Sequence, residues 1–391
     1  MAMAEEKRRE VLLDDDTLIA IFRLLLPRSL ARCAAVCSQW HRLVTSQLMK
    51  DACSRHGGLL YSDPSRCKEI MIRTEQFDRL FTCNPSVLSS QAHSGRVNCC
   101  HWSMDTLATG SSDNTVSVWS MDSMQCMEEY RVPDSVAAVK FDGSRIFAAA
   151  GKDVHIWKRG NRETLRVLGG HNQRLHSMHC IDPELAVGCA DGTVRIFDMY
   201  TGRCSMLLRH HTEKVTCIRS LNKPSVLVSG SYDCSVRLWD PLSGENVRNY
   251  FPASSGISCL HVGKDRIELI VGTVLGDIDC FDIRVGGRRP LWSRRSSNGP
   301  INSIHWPTYT LDNSCMIKAI LIGGNDGKLH LINSDTGRTF RTFTRDGHSS
   351  PVLSARLGHT RFVSCHADGT VTRWIFDQGR TRVGFAICQA C

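Results

Sequence analysis

The chain has 391 residues, 42% of them hydrophobic and 22% charged, so it can bury a sizeable core and is not a disordered polymer. Its formal net charge of +9 favours acidic partners without naming one, and no run approaches the ~18 apolar residues of a membrane span. Nineteen cysteines lie scattered, without the spacing of a disulfide framework or a zinc ribbon, and the charged start MAMAEEKRRE lacks the apolar stretch of a secretory signal, so a reducing compartment is expected, cytoplasmic or nuclear.

Helices come first. DDDTLIAIFRLLLPRSLARCAAVCSQWHRLVTSQLM, from Asp14, parses into three short ones. Asp15 or Asp16 can cap the first, whose Leu18, Ile21, Phe22 and Leu25 follow the i, i+3, i+4, i+7 rule, and Pro27 ends it. Ser29 caps the second, with Leu30, Cys33 and Val36 on one side, and the third holds Trp40 and Leu43. Helices of about a dozen residues or fewer are not stable alone, so residues 9–50 are expected to need a covering partner. Residues 51–85 read as a linker: HGGLLYSDPS as loop, then SRCKEIMIRTEQFDRLF with mixed helical periodicity.

Short strand-like segments with turn residues follow. In LVSGSYDCSVRLWD, residues 227–240, an apolar run, a Gly-Ser turn and an Asp lead into an alternating strand that ends on Trp239, six residues after Asp233. The same frame joins Asp113 to Trp119, Asp191 to Phe197, Asp326 to Ile332 and Asp368 to Trp374. Two copies are degraded: AAAGKDVHIWK, ending at Trp157, has lost one residue, and IVGTVLGDIDCFD, ending at Phe281, has Leu275 in the Asp place. The seven end residues are spaced 38, 40, 42, 42, 51 and 42 apart, the long interval absorbing an insertion around TYTLDNSCM.

A period near 40 with four short strands per unit is the signature of a β-propeller. With the Trp-Asp pair at 239–240, residues 86–391 resemble a seven-bladed WD40 β-propeller, which makes the expected fold mainly β. Stacked blades bury each other's faces and leave only short edges. Residues 86–91 and 381–387 are both candidates for the strand that closes the ring, with the first favoured because it locks the two chain ends into one blade.

Three blades carry a set that mimics a catalytic triad: His93, Thr109, Asp113 and Trp119; His211, Ser229, Asp233 and Trp239; His348, Ser364, Asp368 and Trp374. Recurrence once per repeat, with the hydroxyls inside strands, argues against a nucleophile, and the WD40 resemblance implies a buried hydrogen-bond chain instead. No catalytic residue, cofactor or metal site is therefore expected. Cys388-Gln-Ala-Cys391 lacks two further adjacent metal ligands and an aliphatic prenylation pair, so it reads as a free tail.

The helical segment resembles an F-box, through Leu13, Leu18, Ile21, Phe22, Leu25, the Leu26-Pro27 joint, Leu30, Val36-Cys37 and Trp40. One departure is Asp14, where the family carries a Pro. F-box and WD40 in one chain resemble the F-box/WD40-repeat proteins, substrate receptors of cullin-type ubiquitin ligases. The resemblance implies that Leu13, Leu18, Ile21, Phe22, Leu25, Pro27, Leu30, Val36 and Trp40 dock a Skp-type adaptor, itself bound to a cullin, and that the propeller holds a protein substrate. A WD40 scaffold of a non-ligase complex, with a different use for the helices, is the alternative, and no basic-aromatic module for nucleic acid is present.

The family's ligand face lies where inner strands begin and the Asp turns sit. Arg96, Arg174 and Lys214 (two residues before the contact position), Asn98, His176 and Asn302 (at it), and Tyr232 and Asn325 (before the turn Asp) are the expected substrate contacts. The inner two positions hold no Arg, so an acidic protein substrate fits better than a tight phosphate cage.

Overall fold

The computed structural model describes residues 18, 19, 22, 80 and 81 and residues 83–376, except 104, 161–162, 222–225, 241–242, 245, 251–254, 264–267, 285–288, 307–318, 346–349, 359–360 and the side chains of 246–250. The chain divides into two compact units, and every described strand belongs to the second, which begins at Cys83. In the first unit Leu18, Ile19 and Phe22 are helical, as are Leu80 and Phe81.

The second unit is a ring of seven four-stranded antiparallel sheets, its strands numbered β1–β28 along the chain. Blades one to six each use four consecutive strands. Their inner strands are β2 (Val97–Ser103), β6 (Val136–Phe141), β10 (Leu175–Ile181), β14 (Val215–Leu221), β18 (Ile257–Val262) and β22 (Ile301–His305). Blade seven starts from the inner strand β26 (Val352–Leu357), runs outward through β27 (Arg361–His366) and β28 (Thr370–Ile375), and takes its outer strand from the other end of the ring, β1 (Ser86–Gln91). The pairing runs from Ser86 opposite Ile375 to Gln91 opposite Thr370. Closure thus uses the N-terminal segment, and residues 381–387 lie outside the described residues.

All seven repeat-end residues fall on third strands, and each stands opposite an apolar residue of the second strand: Leu107 faces Trp119, Ile146 Trp157, Leu227 Trp239, Phe362 Trp374. All seven are buried. The one-residue deletion in blade two is absorbed by a tighter hairpin, with Ala150 directly opposite Asp153 and Gly151 at φ +58. Blades also demand small residues where they touch: a Cβ on Gly110 would stand 2.5 Å from Val136 Cγ1 of the next blade.

Every inner strand carries one irregularity at the same place. The register against the second strand shifts between its first and third residues, from Val97/Cys99 in blade one to Val352/Ser354 in blade seven. The bulged second residues are therefore Asn98, Ala137, His176, Thr216, Ser258, Asn302 and Leu353, and all seven line the central channel.

Candidate functional site on the channel face

Blade four shows the hydrogen-bond chain in full. His211 Nδ1 lies 2.8 Å from Asp233, His211 Nε2 lies 2.8 Å from Ser229 Oγ, and Trp239 Nε1 donates to that hydroxyl at 2.7 Å. Blade one repeats it, with His93 at 3.1 Å from Asp113 and 2.8 Å from Thr109 Oγ1, which also accepts from Trp119 at 2.8 Å. The order Asp–His–Ser is that of a triad, yet Ser229 is 1% exposed and its oxygen already receives the indole N–H, so no substrate carbonyl can reach it. Burial opposes ionisation of Asp233, but hydrogen bonds from His211 and Ser235 overcome it and hold the carboxyl far below its usual range.

Two blades depart from this plan. In blade seven His366 lies 2.9 Å from Ser364 Oγ, and Trp374 donates to the same oxygen at 3.0 Å. His348 lies outside the described residues, and Asp368 is held by Thr370 and Arg345. In blade three Val187 and Phe197 replace hydroxyl and indole, and neither ring nitrogen of the buried His171 has a hydrogen-bond partner. Burial, reinforced by Arg195, pushes its pKa down to about 4.

The bulged residues have a second occupation. Asn98 Nδ2 donates to Val136 O at 2.8 Å, Thr216 Oγ1 to Ile257 O at 2.8 Å, Ser258 Oγ to Ile301 O at 2.5 Å and Asn302 Nδ2 to Val352 O at 2.9 Å. Each bond crosses to the first residue of the next inner strand, and Ser177 Oγ makes the equivalent bond to Val215 O at 3.0 Å between blades three and four. Asn98 and Asn302, expected as substrate contacts, are partly buried with an amide N–H committed to this belt, and Asn98 Nδ2 also reaches Ser135 Oγ at 3.5 Å.

The other expected contacts separate into one cluster and two outlying positions. Arg174, His176, Lys214 and Tyr232 gather on blades three and four: Lys214 Nζ stands 3.9 Å over the Tyr232 ring, and His176, between two cations, is driven below its usual pKa by burial, then by Lys214 and Arg174. Arg174 is solvent-exposed and 3.3 Å from Asp134. Arg96 on blade one and Asn325 on blade six are also exposed, away from this cluster. With Asn98 and Asn302 in the belt, four expected contacts stand apart from the blade-three and blade-four group.

Among the expected adaptor contacts, Leu18 and Phe22 are described. They lie one helical turn apart and are 3% and 1% exposed within the chain itself. Leu13, Ile21, Leu25, Pro27, Leu30, Val36 and Trp40 lie outside the described residues.

Sequence reasoning missed the deeper channel. Lys140, Arg219 and Arg356 line it below the bulged residues. Each is the fourth residue after its inner-strand start, and that count, applied to all seven blades, is the signal that would have found them.

Comparison with known proteins agrees with this architecture. The F-box-like family model matches residues 15–55, and the WD domain, G-beta repeat model matches residues 84–120, 162–198 and 202–240. An F-box/WD-40 repeat-containing protein of Arabidopsis thaliana is 29% identical over 371 residues, covering 85% of this chain and 80% of that protein. The chain combines an F-box-like segment with WD40 repeats, as the F-box/WD40-repeat proteins do. F-box/WD40 proteins are of the substrate-receptor type, and they are as a rule non-catalytic adaptors. The DENN domain and WD repeat-containing protein SCD1 of Arabidopsis thaliana is 26% identical over 186 residues, which cover 46% of this chain and 16% of that protein. The computationally designed Ika8 protein superposes with a TM-score of 0.57 at 21% identity, over 73% of this chain and 98% of that one, a likeness of fold alone.

Proposed function

We propose that this F-box/WD40-repeat protein is the substrate-recognition subunit of a Skp–cullin–F-box ubiquitin ligase. The F-box-like segment docks the Skp-type adaptor, which joins a cullin, and the propeller holds the protein to be modified. The observation that carries this reading is the joint presence of an F-box-like match at residues 15–55 and a closed seven-bladed ring with a patterned channel face.

The chemistry of that face supports an acidic segment as the recognised element. Arg174, Lys214 and Arg96 supply positive charge at the rim, and Tyr232 offers an aromatic surface already polarised by Lys214. The chain itself performs no reaction in this account, since its Asp–His–Ser sets are consumed in holding turns. Residues 9–50, 51–85 and 86–391 act as plug, spacer and gripper, in cytoplasm or nucleus.

Affinity purification of the tagged full-length chain from cells tests the proposal. Recovery of a Skp-type adaptor and a cullin, both lost from the Trp40→Ala variant, is the expected result. Their absence from the wild-type sample favours the alternative, a scaffold of a non-ligase complex.

A further inference from the structure

The fourth residue after each inner-strand start is cationic or an imidazole in all seven blades. Counting from Val97, Val136, Leu175, Val215, Ile257, Ile301 and Val352, the residues are His101, Lys140, His179, Arg219, His261, His305 and Arg356. They form one circle of three cationic side chains and four imidazoles, and neighbouring members are close: the rings of His261 and His305 are 5.5 Å apart between centroids.

No carboxylate of the described residues compensates this circle. Among the described residues none of the seven is ion-paired with a carboxylate. Arg219 spends an N–H on the carbonyl of its neighbour Ile218 at 2.8 Å, and Arg356 reaches the carbonyl of Cys100 at 3.2 Å. His179 Nδ1 is buried without a partner. Burial is the first cause pushing His101, Lys140, His179, His261 and His305 below their usual ranges, and the other cations of the circle push further in the same direction. The neighbouring thiol of Cys100 is held below its own usual range by a hydrogen bond from Cys365 and, against burial, by Arg356. Lys140, Arg219 and Arg356 line a narrow, low-dielectric channel and focus a positive field there, and such charges are expensive to hold without an anion.

We propose that this circle is a binding site for a compact chain of phosphate groups. Phosphate oxygens match both Arg219 and Arg356, which can each present a fork of N–H donors, and Lys140, which supplies a point charge. The imidazoles add N–H donors around the circumference. The channel volume of ≈ 190 Å³ is below the roughly 300–1,000 Å³ of clefts that take drug-sized ligands, which selects a small polyanion over a folded peptide. Such a ligand touches all the blades at once and stabilises the closed ring, independently of adaptor docking.

The test is calorimetric titration of the purified full-length chain at low ionic strength with sodium tripolyphosphate, with ATP, and with sulfate at matched ionic strength. Tripolyphosphate is expected to bind saturably and, at a hundred times its Kd, to raise the melting temperature by about 5 °C or more, while sulfate does neither. ATP binding as tightly as tripolyphosphate identifies the triphosphate tail of a nucleotide as the ligand, and weaker ATP binding identifies free polyphosphate; both support the site. Lys140→Met should weaken tripolyphosphate at least tenfold and raise the melting temperature of the free protein by removing an unpaired charge, whereas Lys140→Arg should keep the binding. The proposal is overturned if tripolyphosphate is no better than sulfate, a result that needs no variant, or if Lys140→Met leaves its affinity unchanged.

Discussion

Asn98 donates its side-chain N–H to the carbonyl of Val136 across the boundary between blades one and two, at 2.8 Å. The bond exists because a bulge turns Asn98 out of its strand's alternation and toward the neighbouring blade. Thr216, Ser258 and Asn302 repeat it at three further boundaries.

The belt predicts a stability effect at positions that read as ligand contacts. Asn302→Ala leaves Val352 O without its side-chain donor and should cost about 1–3 kcal/mol in denaturant unfolding. Leu353, equally placed but apolar, should tolerate Leu353→Ala with a smaller loss. No change on Asn302→Ala would show that solvent in the channel replaces the bond.

The buried chain in blade four separates packing from hydrogen bonding. Trp239→Ala removes a side chain that is 1% exposed and should cost roughly 3–5 kcal/mol. Trp239→Phe keeps most of the apolar surface but strips Ser229 of a donor, so its cost should be about 1–2 kcal/mol. Equal losses in the two variants would mean that the hydrogen bond, not the ring, carries the position.

Blade three supplies a pH test. His171 is buried without a hydrogen-bond partner, and its pKa is pushed down to about 4 from an ordinary 6.5. The unfolded chain therefore binds a proton that the folded chain refuses. Stability from the neutral ring is full above pH 6.5 and is lost as pH falls from there towards 4, amounting to roughly 3 kcal/mol. His171→Leu should remove that share of the acid sensitivity, which unfolding curves at pH 7 and pH 5 would measure. An unchanged slope would contradict the assignment.

Substrate capture is expected to depend on the rim charges. Reversing Arg96, Arg174 and Lys214 together to Glu should weaken binding of an acidic partner at least tenfold. Stability should change little, since Arg96 and Arg174 are exposed and Lys214 rests on the exposed Tyr232. Retained affinity in a pull-down of an identified substrate would place recognition off this face.

How much of this was legible depends on what each residue repeats. The six-residue Asp-to-Trp spacing recurs because it measures one hairpin, so the blades and their seven buried end residues followed from Asp113, Asp233, Asp368 and their like. The closing strand was half-legible: SVLSSQ has strand character, but only the pairing of Ser89 with Thr372 across the chain ends selects it. The contact of His366 with Ser364 was not legible, because it joins two residues of one strand outside the repeated Asp-to-Trp frame. Lys140, Arg219 and Arg356 escaped notice because their equivalence is one of register rather than residue type.

The central claim is that the helical segment plugs this receptor into a Skp-type adaptor, and a titration of purified adaptor into purified full-length chain tests it most directly. The account predicts saturable one-to-one binding that Trp40→Ala weakens about thirtyfold or more, with the unfolding of the propeller unchanged. No binding by the wild-type chain, or equal binding by wild type and Trp40→Ala, would contradict it.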